Sequence, residues 1–433
     1  MASEDPKIAP ESPPESTEAP PVRARGEVLA ELRALIASIE GASPPVEESE
    51  SLAEEKGLSA FVQGATVETD AGPVFEARTD YDGSQIYGKA RCSEYLSVLP
   101  GDAAYVAQDL TLSYLPPEGA LFLDIETAES PRLDESCAFL IGVGFFEGRT
   151  LSVRQIFMRS RDEEAASLRR LNEHLARAKY LVTYNGRAFD VPFLAERARI
   201  AGVETPIRDM PHLDLLKPSR RIWRGVWENC KLTTLEREVV GLSRRNDVPG
   251  RLVPSMYETY RADGDPRKLR ALLDHNLYDV ATLAPLGARL VATVRRPDAL
   301  DIEPPPGAFL AAAEFHRRHG RHEDELIALQ HAVEGEGDTR RKAMLRLADR
   351  HKKAGRVAQA RDLWQALIDE ARDGGPFEAA AYIEMAKDLE RTAKDYVAAR
   401  KLVIEAITRL APDDRRLRRD LMHRRDRLAV KIG

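Results

Sequence analysis

Leu121-Phe122-Leu123-Asp124-Ile125-Glu126-Thr127 is an apolar run, rich in strand formers, that carries two carboxylates near its end. Such a run predicts a buried central β-strand. Residues two apart in a strand point to the same face, so Asp124 and Glu126 are expected side by side. Paired anions beside a hydrophobic core need a compensating positive charge, and a divalent metal ion with its preference for carboxylate oxygens provides one. Asp-x-Glu alone is a weak signal, and the alternative is a strand that ends in solvent with exposed acids.

Two later segments favour the metal interpretation. Leu181-Val182-Thr183-Tyr184 predicts another strand, which leads into Asn185-Gly186-Arg187-Ala188-Phe189-Asp190. Asp274-His275-Asn276-Leu277-Tyr278-Asp279-Val280 lies inside a long helical pattern. Together these stretches resemble the DEDD 3′–5′ exonucleases of the ribonuclease-H-like fold. The motifs of that family are Asp-x-Glu, Asn-Gly-x-x-Phe-Asp, and a Tyr or His shortly before a last Asp.

The flanking sequence is similar to the YprB-type ribonuclease-H-like domain of bacteria. Besides the motifs, the similarity includes Asp214-Leu215-Leu216, Ser219-Arg220-Arg221-Ile222-Trp223 and Asp247-Val248-Pro249-Gly250. It extends roughly from Gly119 to Val294. The resemblance implies an α/β ribonuclease-H-like domain, that is, a mixed sheet flanked by helices.

The resemblance also implies a site for two metal ions, Mg²⁺ or Mn²⁺. Asp124, Glu126 and Asp279 would ligate the ions directly, with Asp124 bridging them. Asp190 would act on the second ion, directly or through water, and its place at a helix N-terminus suits an anion. Two metals about 4 Å apart activate a water and neutralise the attacking and leaving oxygens of a phosphodiester.

His275 is the candidate general base and departs from the family pattern. The aromatic acid/base precedes the last Asp by four residues in the Tyr-type branch and by five in the His-type branch, whereas here a His stands four residues before Asp279. Residues i and i+4 share a helix face, so both side chains are expected to face the metal site. A His that titrates near neutrality suits a base for the attacking water. The alternative is that His275 caps or packs, and that metal-bound hydroxide needs no side-chain base.

Substrate contacts are expected around the Asn-Gly motif and in a basic segment. Asn185 and Gly186 would shape the turn beside the terminal nucleotide, Tyr184 and Arg187 could touch substrate, and Phe189 is expected to pack. Basic groups follow phosphates while an indole stacks on a base, which suits a single strand. Arg221 and Trp223 are the chosen candidates of this kind, although a solvated charged face is the alternative. The full basic set is Lys217, Arg220, Arg221, Arg224, Lys231, Arg244, Arg245 and Arg251.

Whole-chain composition excludes some classes. The net charge of the 433 residues is −7, which excludes a globally basic nucleic-acid coat. Cys92, Cys137 and Cys230 show no Cys-x-x-Cys pairing, which argues against a zinc site or a disulfide framework and fits a reducing, cytoplasmic location. No membrane-spanning stretch and no signal peptide are expected.

Composition predicts five regions. Residues 1–23 form a disordered tail, 24–116 a helix and a small β-rich accessory region, and 117–296 the ribonuclease-H-like exonuclease domain. Residues 297–307 are rich in proline and predict a stiff linker. Residues 308–433 predict an all-α region similar to degenerate tetratricopeptide repeats, which usually form protein-binding surfaces, with an ordinary helical bundle as the alternative.

These expectations combine into a predicted metal-dependent 3′–5′ exonuclease. Its substrate would be the 3′ end of single-stranded DNA or RNA, and its helical-repeat arm would recruit a protein partner. One alternative is a catalytically weak or inactive nucleic-acid-binding platform, and another is a scaffold that acts through its repeats. The presence of all four carboxylates argues against an evolutionary loss of catalytic activity. Nothing in the sequence selects DNA or RNA, because a contact to a 2′-hydroxyl leaves no readable motif.

Overall fold

The computed structural model describes residues 58, 62–128, 136–244, 247–300, 303–370, 375–409 and 415–433. The predicted N-terminal tail, the helix predicted at the start of the region 24–116 and Arg245 lie outside the described residues.

One mixed seven-stranded sheet forms the centre of the protein, with the strand order β1-β2-β5-β4-β3-β6-β7. The pairs β1–β2, β2–β5, β5–β4 and β4–β3 are antiparallel. The pairs β3–β6 and β6–β7 are parallel. The mixed sheet flanked by helices confirms the predicted ribonuclease-H-like fold class. The strands are β1 Gly64–Thr69, β2 Gly72–Tyr81, β3 Ala120–Ala128, β4 Cys137–Glu147, β5 Thr150–Phe157, β6 Tyr180–Thr183 and β7 His212–Asp214.

Fourteen α-helices lie in the described part of the chain, and the last seven form the predicted all-α C-terminal region. The first seven are α1 Pro100–Ala107, α2 Glu164–Leu175, α3 Asp190–Ile200, α4 Leu216–Trp223, α5 Leu232–Leu235, α6 Val253–Asp263 and α7 Leu269–Arg295. The others are α8 Pro306–Arg318, α9 His322–Ala332, α10 Gly337–Lys353, α11 Val357–Asp369, α12 Pro376–Asp388, α13 Tyr396–Arg409 and α14 Arg415–Ile432.

The alternation of side chains along β3 places the chemistry on one face of the sheet. Leu121 and Leu123 point into a core beneath α2 and α3. Phe122 points to the other face, into the core that α7 covers, and residues 124 and 126 follow it there because the side-chain period of a strand is two. The strand therefore packs with its first half and carries acids with its second.

Helix α7 is the main helix over that face. Gly142 of β4 allows its close approach, because a Cβ at this position would lie 2.6 Å from Val280 Cγ2. By length and composition alone α7 would pass as a membrane span, contrary to the expectation from sequence, but 78% of its most apolar window is buried inside the protein. This is the burial of a core helix.

The regions outside 117–296 are joined to this core. β1 and β2, from the predicted accessory region, continue the sheet at one edge. Phe309 of α8 and Leu329 of α9, which follow the predicted linker in sequence, belong to the same hydrophobic cluster as Phe122. A second cluster around Trp364 unites the more distal helices. The C-terminal region is therefore helical as predicted, and its first pair of helices packs on the sheet domain.

Candidate active site

Asp124 and Glu126 lie together on the face of β3 that α7 covers, as the strand period predicts. The Asn276 side-chain amide, from α7, donates to Asp124 Oδ2 at 3.0 Å and to the Asp124 carbonyl at 3.3 Å. Gln155 of β5 donates in turn to Asn276 Oδ1 at 3.0 Å, which fixes the orientation of the amide. Asp124 is thus held by a chain of hydrogen bonds that crosses the sheet.

His275 and Asp279, one helical turn apart on α7, face the same carboxylates. His275 Nε2 lies 3.8 Å from Glu126 Oε1 and 3.5 Å from Asp279 Oδ2. One potential ligand atom from each of Glu126, His275 and Asp279 lies within 4.8 Å of the others, a group able to hold a metal ion. Helical spacing therefore does place His275 beside Asp279.

The Asn-Gly turn after β6 has a backbone that its sequence explains. Asn185 has φ +72°, a left-handed conformation that Asn tolerates. Gly186 is needed because a Cβ there would lie 2.6 Å from the Thr183 side chain. Asp214, at the end of β7, accepts hydrogen bonds from the backbone N–H groups of Asn185 and Arg187 at 2.9 and 3.0 Å. The turn is therefore locked by groups from β6 and β7.

This turn places Asp190 next to β3. Asp190 is the first residue of α3, is buried, and accepts a hydrogen bond from the Ile125 backbone N–H at 3.2 Å. Ile125 stands between Asp124 and Glu126, so the fourth carboxylate reaches the same strand segment. All four acids predicted from the three motifs converge at this point of β3.

The convergence of carboxylates disfavours their charged forms. Burial, followed by the charges of Asp279, Asp190 and Glu126, raises the pKa of Asp124 well above its usual range. Burial raises the pKa of Glu126 to about 8 even though His275 opposes the shift. Burial also raises the pKa of Asp190 to about 6, against the lowering effect of its backbone hydrogen bonds. The cluster needs additional positive charge.

Arg244 supplies some of that charge from within the protein. Its guanidinium donates to both Glu236 oxygens at 2.7 and 2.9 Å, lies 3.3 Å from Asp247 Oδ2, and bonds Asp279 Oδ1. Its side chain is 5% exposed. The sequence predicted Arg244 as a cation for phosphate, but its donors are occupied by the carboxylates of Glu236, Asp247 and Asp279.

Asp247 holds His275 from the side opposite the cluster. The His275 ring places Nδ1 2.8 Å from Asp247 Oδ1. Burial alone would lower the pKa of His275, but this hydrogen bond and the charges of Asp279 and Glu126 raise it to about 8. Burial would raise the pKa of Asp247, yet the hydrogen bond and charge of His275, together with Arg244, hold it below its usual range.

The structure differs from two substrate-contact predictions, for Trp223 and Arg221, and from one packing prediction, for Phe189. Trp223 is 1% exposed and packs in the main core, so it cannot stack on a base. Arg221 donates to the Val106 carbonyl and to Gln108, and it lies over the Phe315 ring, so it joins α4 to α1 and α8. Phe189, expected to pack, is 65% exposed.

Other predicted contacts remain compatible with the structure. Tyr184 is half-buried and donates its hydroxyl to the Cys230 carbonyl at 2.5 Å. Arg187 is exposed and reaches Asp109 at 3.3 Å. Four further predicted cations are exposed, namely Lys217, Arg220, Arg224 and Lys231.

Sequence reasoning missed the supporting residues. Asn276, Asp214 and Asp247 all stood in the stretches that carried the family resemblance, and this was the available signal. None was given a role, because their partners lie far away along the chain.

A family model and known proteins match part of this chain. Residues 121–291 match the family model RNase_H_2, of the RNase_H superfamily. An uncharacterized protein of Bacillus subtilis (strain 168), YprB, is 28% identical over 229 residues, which cover 53% of this chain and 54% of YprB. The chain thus spans about half the length of this curated relative.

A solved structure also aligns with the chain. It is the family B DNA polymerase from the hyperthermophilic archaeon Pyrobaculum calidifontis, with a TM-score of 0.34 and 15% identity. The alignment covers 73% of this chain and 46% of the polymerase. From the matched model, the YprB similarity and the mixed sheet with its acidic face, we conclude that residues 121–291 form a domain of the RNase H superfamily.

Proposed function

We propose that the chain is a divalent-metal-dependent 3′–5′ exonuclease that acts on single-stranded nucleic acid. The observation that carries the proposal is the convergence of Glu126, His275 and Asp279 with Asp124 and Asp190 on one segment of β3. A nuclease of this superfamily needs such a set of acids, and a binding module does not.

The donor set fits a hard cation. Carboxylate oxygens and one imidazole nitrogen lie within reach of one another. Burial, together with the charges of neighbouring carboxylates, raises the pKa values of Asp124, Glu126 and Asp190. Mg²⁺ or Mn²⁺ suits such oxygen-rich ligands. Asp124, Glu126, Asp190 and Asp279 would hold the ions, and these would neutralise charge on the attacking and leaving oxygens of the phosphodiester.

The protein's own residues account for the remaining chemistry. In the proposed reaction a water oxygen attacks the terminal phosphorus, and His275 in its neutral form takes up on Nε2 the proton that the water loses. The bond from phosphorus to the 3′ oxygen of the penultimate nucleotide breaks, and that oxygen takes up a proton from solvent. The products are a nucleoside 5′-monophosphate and a strand shortened by one residue, with a free 3′-hydroxyl.

Exposed groups near the Asn-Gly turn suit the substrate strand. Phe189 directly precedes Asp190 and is exposed, so its ring is available for stacking on an unpaired base. Lys217, Arg220, Arg224 and Lys231 are exposed cations that would follow the phosphates.

The test is a cleavage assay with the full chain. 5′-labelled single-stranded DNA and RNA are incubated with Mg²⁺, with Mn²⁺ or with EDTA. The expected result is a metal-dependent ladder that shortens from the 3′ end, and the preferred strand identifies the sugar. The same assay is run on Asp124→Asn, which should abolish the ladder.

The matched control is Asp209→Asn, which makes the same chemical change at an exposed position before β7. This variant should retain full activity. If the wild-type chain binds both strands but shortens neither with either metal, the exonuclease proposal fails and a non-catalytic nucleic-acid-binding platform replaces it.

A further inference from the structure

Asp247 accepts hydrogen bonds from several donors at the edge of the acidic cluster. Three donors converge on its carboxylate: His275 Nδ1 at 2.8 Å and the Val248 backbone N–H at 2.9 Å reach Oδ1, and Arg244 Nη1 at 3.3 Å reaches Oδ2. Both oxygens are therefore occupied. Arg244 also bonds Asp279, so the same guanidinium ties the support of His275 to a carboxylate of the cluster.

We propose that Asp247 is the positioning residue for His275. It accepts the Nδ1–H bond, selects the neutral tautomer whose Nε2 bears the lone pair, and aims Nε2 at the space between Glu126 and Asp279. This inference rests on the proposed function for its consequence in catalysis, but the tautomer itself does not depend on that function.

A carboxylate beside one nitrogen of a neutral imidazole determines which tautomer the ring adopts. A neutral ring carries one proton, and an anionic acceptor beside Nδ1 places it there, which leaves Nε2 free to accept. The same lone pair is what a general base for water, or a ligand to a metal ion, must present. In the opposite tautomer Nε2 would carry a hydrogen and could do neither.

Only a carboxylate satisfies the three donors. Asparagine has one acceptor oxygen and one NH₂ group. If its oxygen faces His275 and the Val248 N–H, the NH₂ group meets Arg244. If it is flipped, the NH₂ group meets the His275 ring and the Val248 N–H, and His275 is driven toward the other tautomer.

Gly250 keeps the approach to His275 open. A Cβ at this exposed position would lie 3.6 Å from His275 Nε2. Arg244, Asp247 and Gly250 thus contribute a cation, the orienting carboxylate and the gap in front of the reactive nitrogen.

The test reads the tautomer directly by NMR of the full chain labelled with ¹⁵N-histidine. The pH is set well above the pKa of His275, which is raised to about 8, so that the ring is neutral. The His275 signals are assigned by their loss in His275→Gln. In the wild-type chain Nδ1 is expected to carry the proton. In Asp247→Asn the signals should shift to the Nε2–H form or to an average of the two. An Nε2–H tautomer in the wild type, or an unchanged tautomer together with an unchanged kcat in Asp247→Asn, overturns the proposal.

The matched control is Asp274→Asn, next to His275 on α7. Asp274 pairs with Arg270 at 3.6 Å and has no hydrogen bond to His275. This variant should keep the wild-type tautomer and activity, whereas Asp247→Asn should lower kcat roughly 10- to 100-fold with little change in KM. Thermal unfolding of both variants establishes that they fold. If Asp247→Asn does not fold, the wild-type spectrum still shows which nitrogen of His275 carries the proton.

The two proposals fail in different ways. If the wild-type chain cleaves no strand but shows the Nδ1–H tautomer that is lost in Asp247→Asn, the exonuclease fails and the positioning role stands. If the chain cleaves strands and Asp247→Asn leaves both the tautomer and kcat unchanged, the positioning role fails and the exonuclease stands.

Discussion

At the scale of single residues, the site depends on neutral and cationic side chains as much as on its acids. Asn276 is fully buried and must satisfy both ends of its amide, which it does between Gln155 and Asp124. Arg244 forms ion pairs with Glu236 and Asp279 and so compensates their charges. These residues explain how adjacent acids are tolerated beside a hydrophobic core.

Replacing Arg244 tests the internal cation. Arg244→Gln leaves Glu236, whose side chain is 2% exposed, without its ionic partner. Because an unpaired buried charge is costly, the free energy of unfolding should fall by about 3 kcal/mol or more. Urea unfolding followed by circular dichroism measures it.

The control is Arg237→Gln, since Arg237 is half-exposed and pairs with surface glutamates. It should lower the free energy of unfolding far less than Arg244→Gln does, because surface ion pairs contribute little to stability. Equal losses in the two variants would contradict a special role for the Arg244 network.

The close approach of α7 to β4 provides a second test at this scale. Gly142→Ala would bring its methyl group into contact with Asn276 Oδ1 and Val280. Because neither neighbour can move freely in the core, we expect a loss of about 1–3 kcal/mol in the free energy of unfolding. Metal titration by calorimetry should also show weaker binding, since Asn276 orients Asp124.

Gly101→Ala is the matched control, because a Cβ at that position in α1 meets no atom within 4 Å apart from the adjacent residues and the helix's own backbone. Stability should be unchanged or slightly increased. A Gly142→Ala chain as stable as Gly101→Ala would show that the helix does not need this contact.

At the scale of elements, β2 is bound to α2 by a buried ionic cluster. Glu76 of β2 accepts from Arg170 at 2.7 and 2.8 Å and from His174 at 2.9 Å. The cluster lies on the face of the sheet opposite α7. It connects β2 to α2, whereas the acidic cluster lies on the other face of the sheet.

This cluster predicts a pH dependence of stability. Burial would raise the pKa of Glu76, but the bonds to Arg170 and His174 lower it to about 2 from 4.5. The contribution of Glu76 is therefore fully present above pH 4.5 and is lost as the pH falls toward 2, and it amounts to about 3 kcal/mol. Glu76→Gln should be less stable than wild type at pH 7, and the difference should narrow as the pH is lowered through this range in urea unfolding.

Glu173→Gln is the control at this scale, because Glu173 is half-exposed and also pairs with Arg170. Its effect should stay below about 1 kcal/mol at every pH. A Glu76→Gln deficit that did not vary with pH would argue against the ionic cluster as its cause.

At the scale of the whole molecule, the sheet and the first C-terminal helices share one core. Phe309 of α8 is buried in the cluster that contains Phe122, whereas Trp364 of α11 is buried in the distal cluster. That the helices form tetratricopeptide repeats and bind a protein partner stays a prediction. The first helices of the three pairs begin at Pro306, Gly337 and Pro376, which are unequally spaced.

Two large-to-small substitutions distinguish the two clusters. Phe309→Ala should cost about 3–5 kcal/mol and increase hydrogen exchange in β3 and β6, because its cavity opens into their core. Trp364→Ala should cost a similar amount but increase exchange mainly in α10 to α13. Mass spectrometry of exchange in the full chain measures both. Unchanged exchange in β3 after Phe309→Ala would mean that the helical region does not support the site.

The sequence alone determined the strand that carries Asp124 and Glu126, the helix that carries His275 and Asp279, and the turn that leads to Asp190. These features follow from local periodicity and turn chemistry, which are written in adjacent residues. The fold class followed from the order of three such motifs. Phe189 could not be placed in this way, because exposure depends on what packs nearby.

The tertiary structure alone decided which charges meet. Arg244 and Trp223 looked like substrate contacts in sequence, yet one is enclosed by carboxylates and the other by the core. His275 acquires its orientation from Asp247, 28 residues away. The physical reason is that electrostatic pairing and burial depend on distances between elements, and local sequence patterns contain no information on those distances.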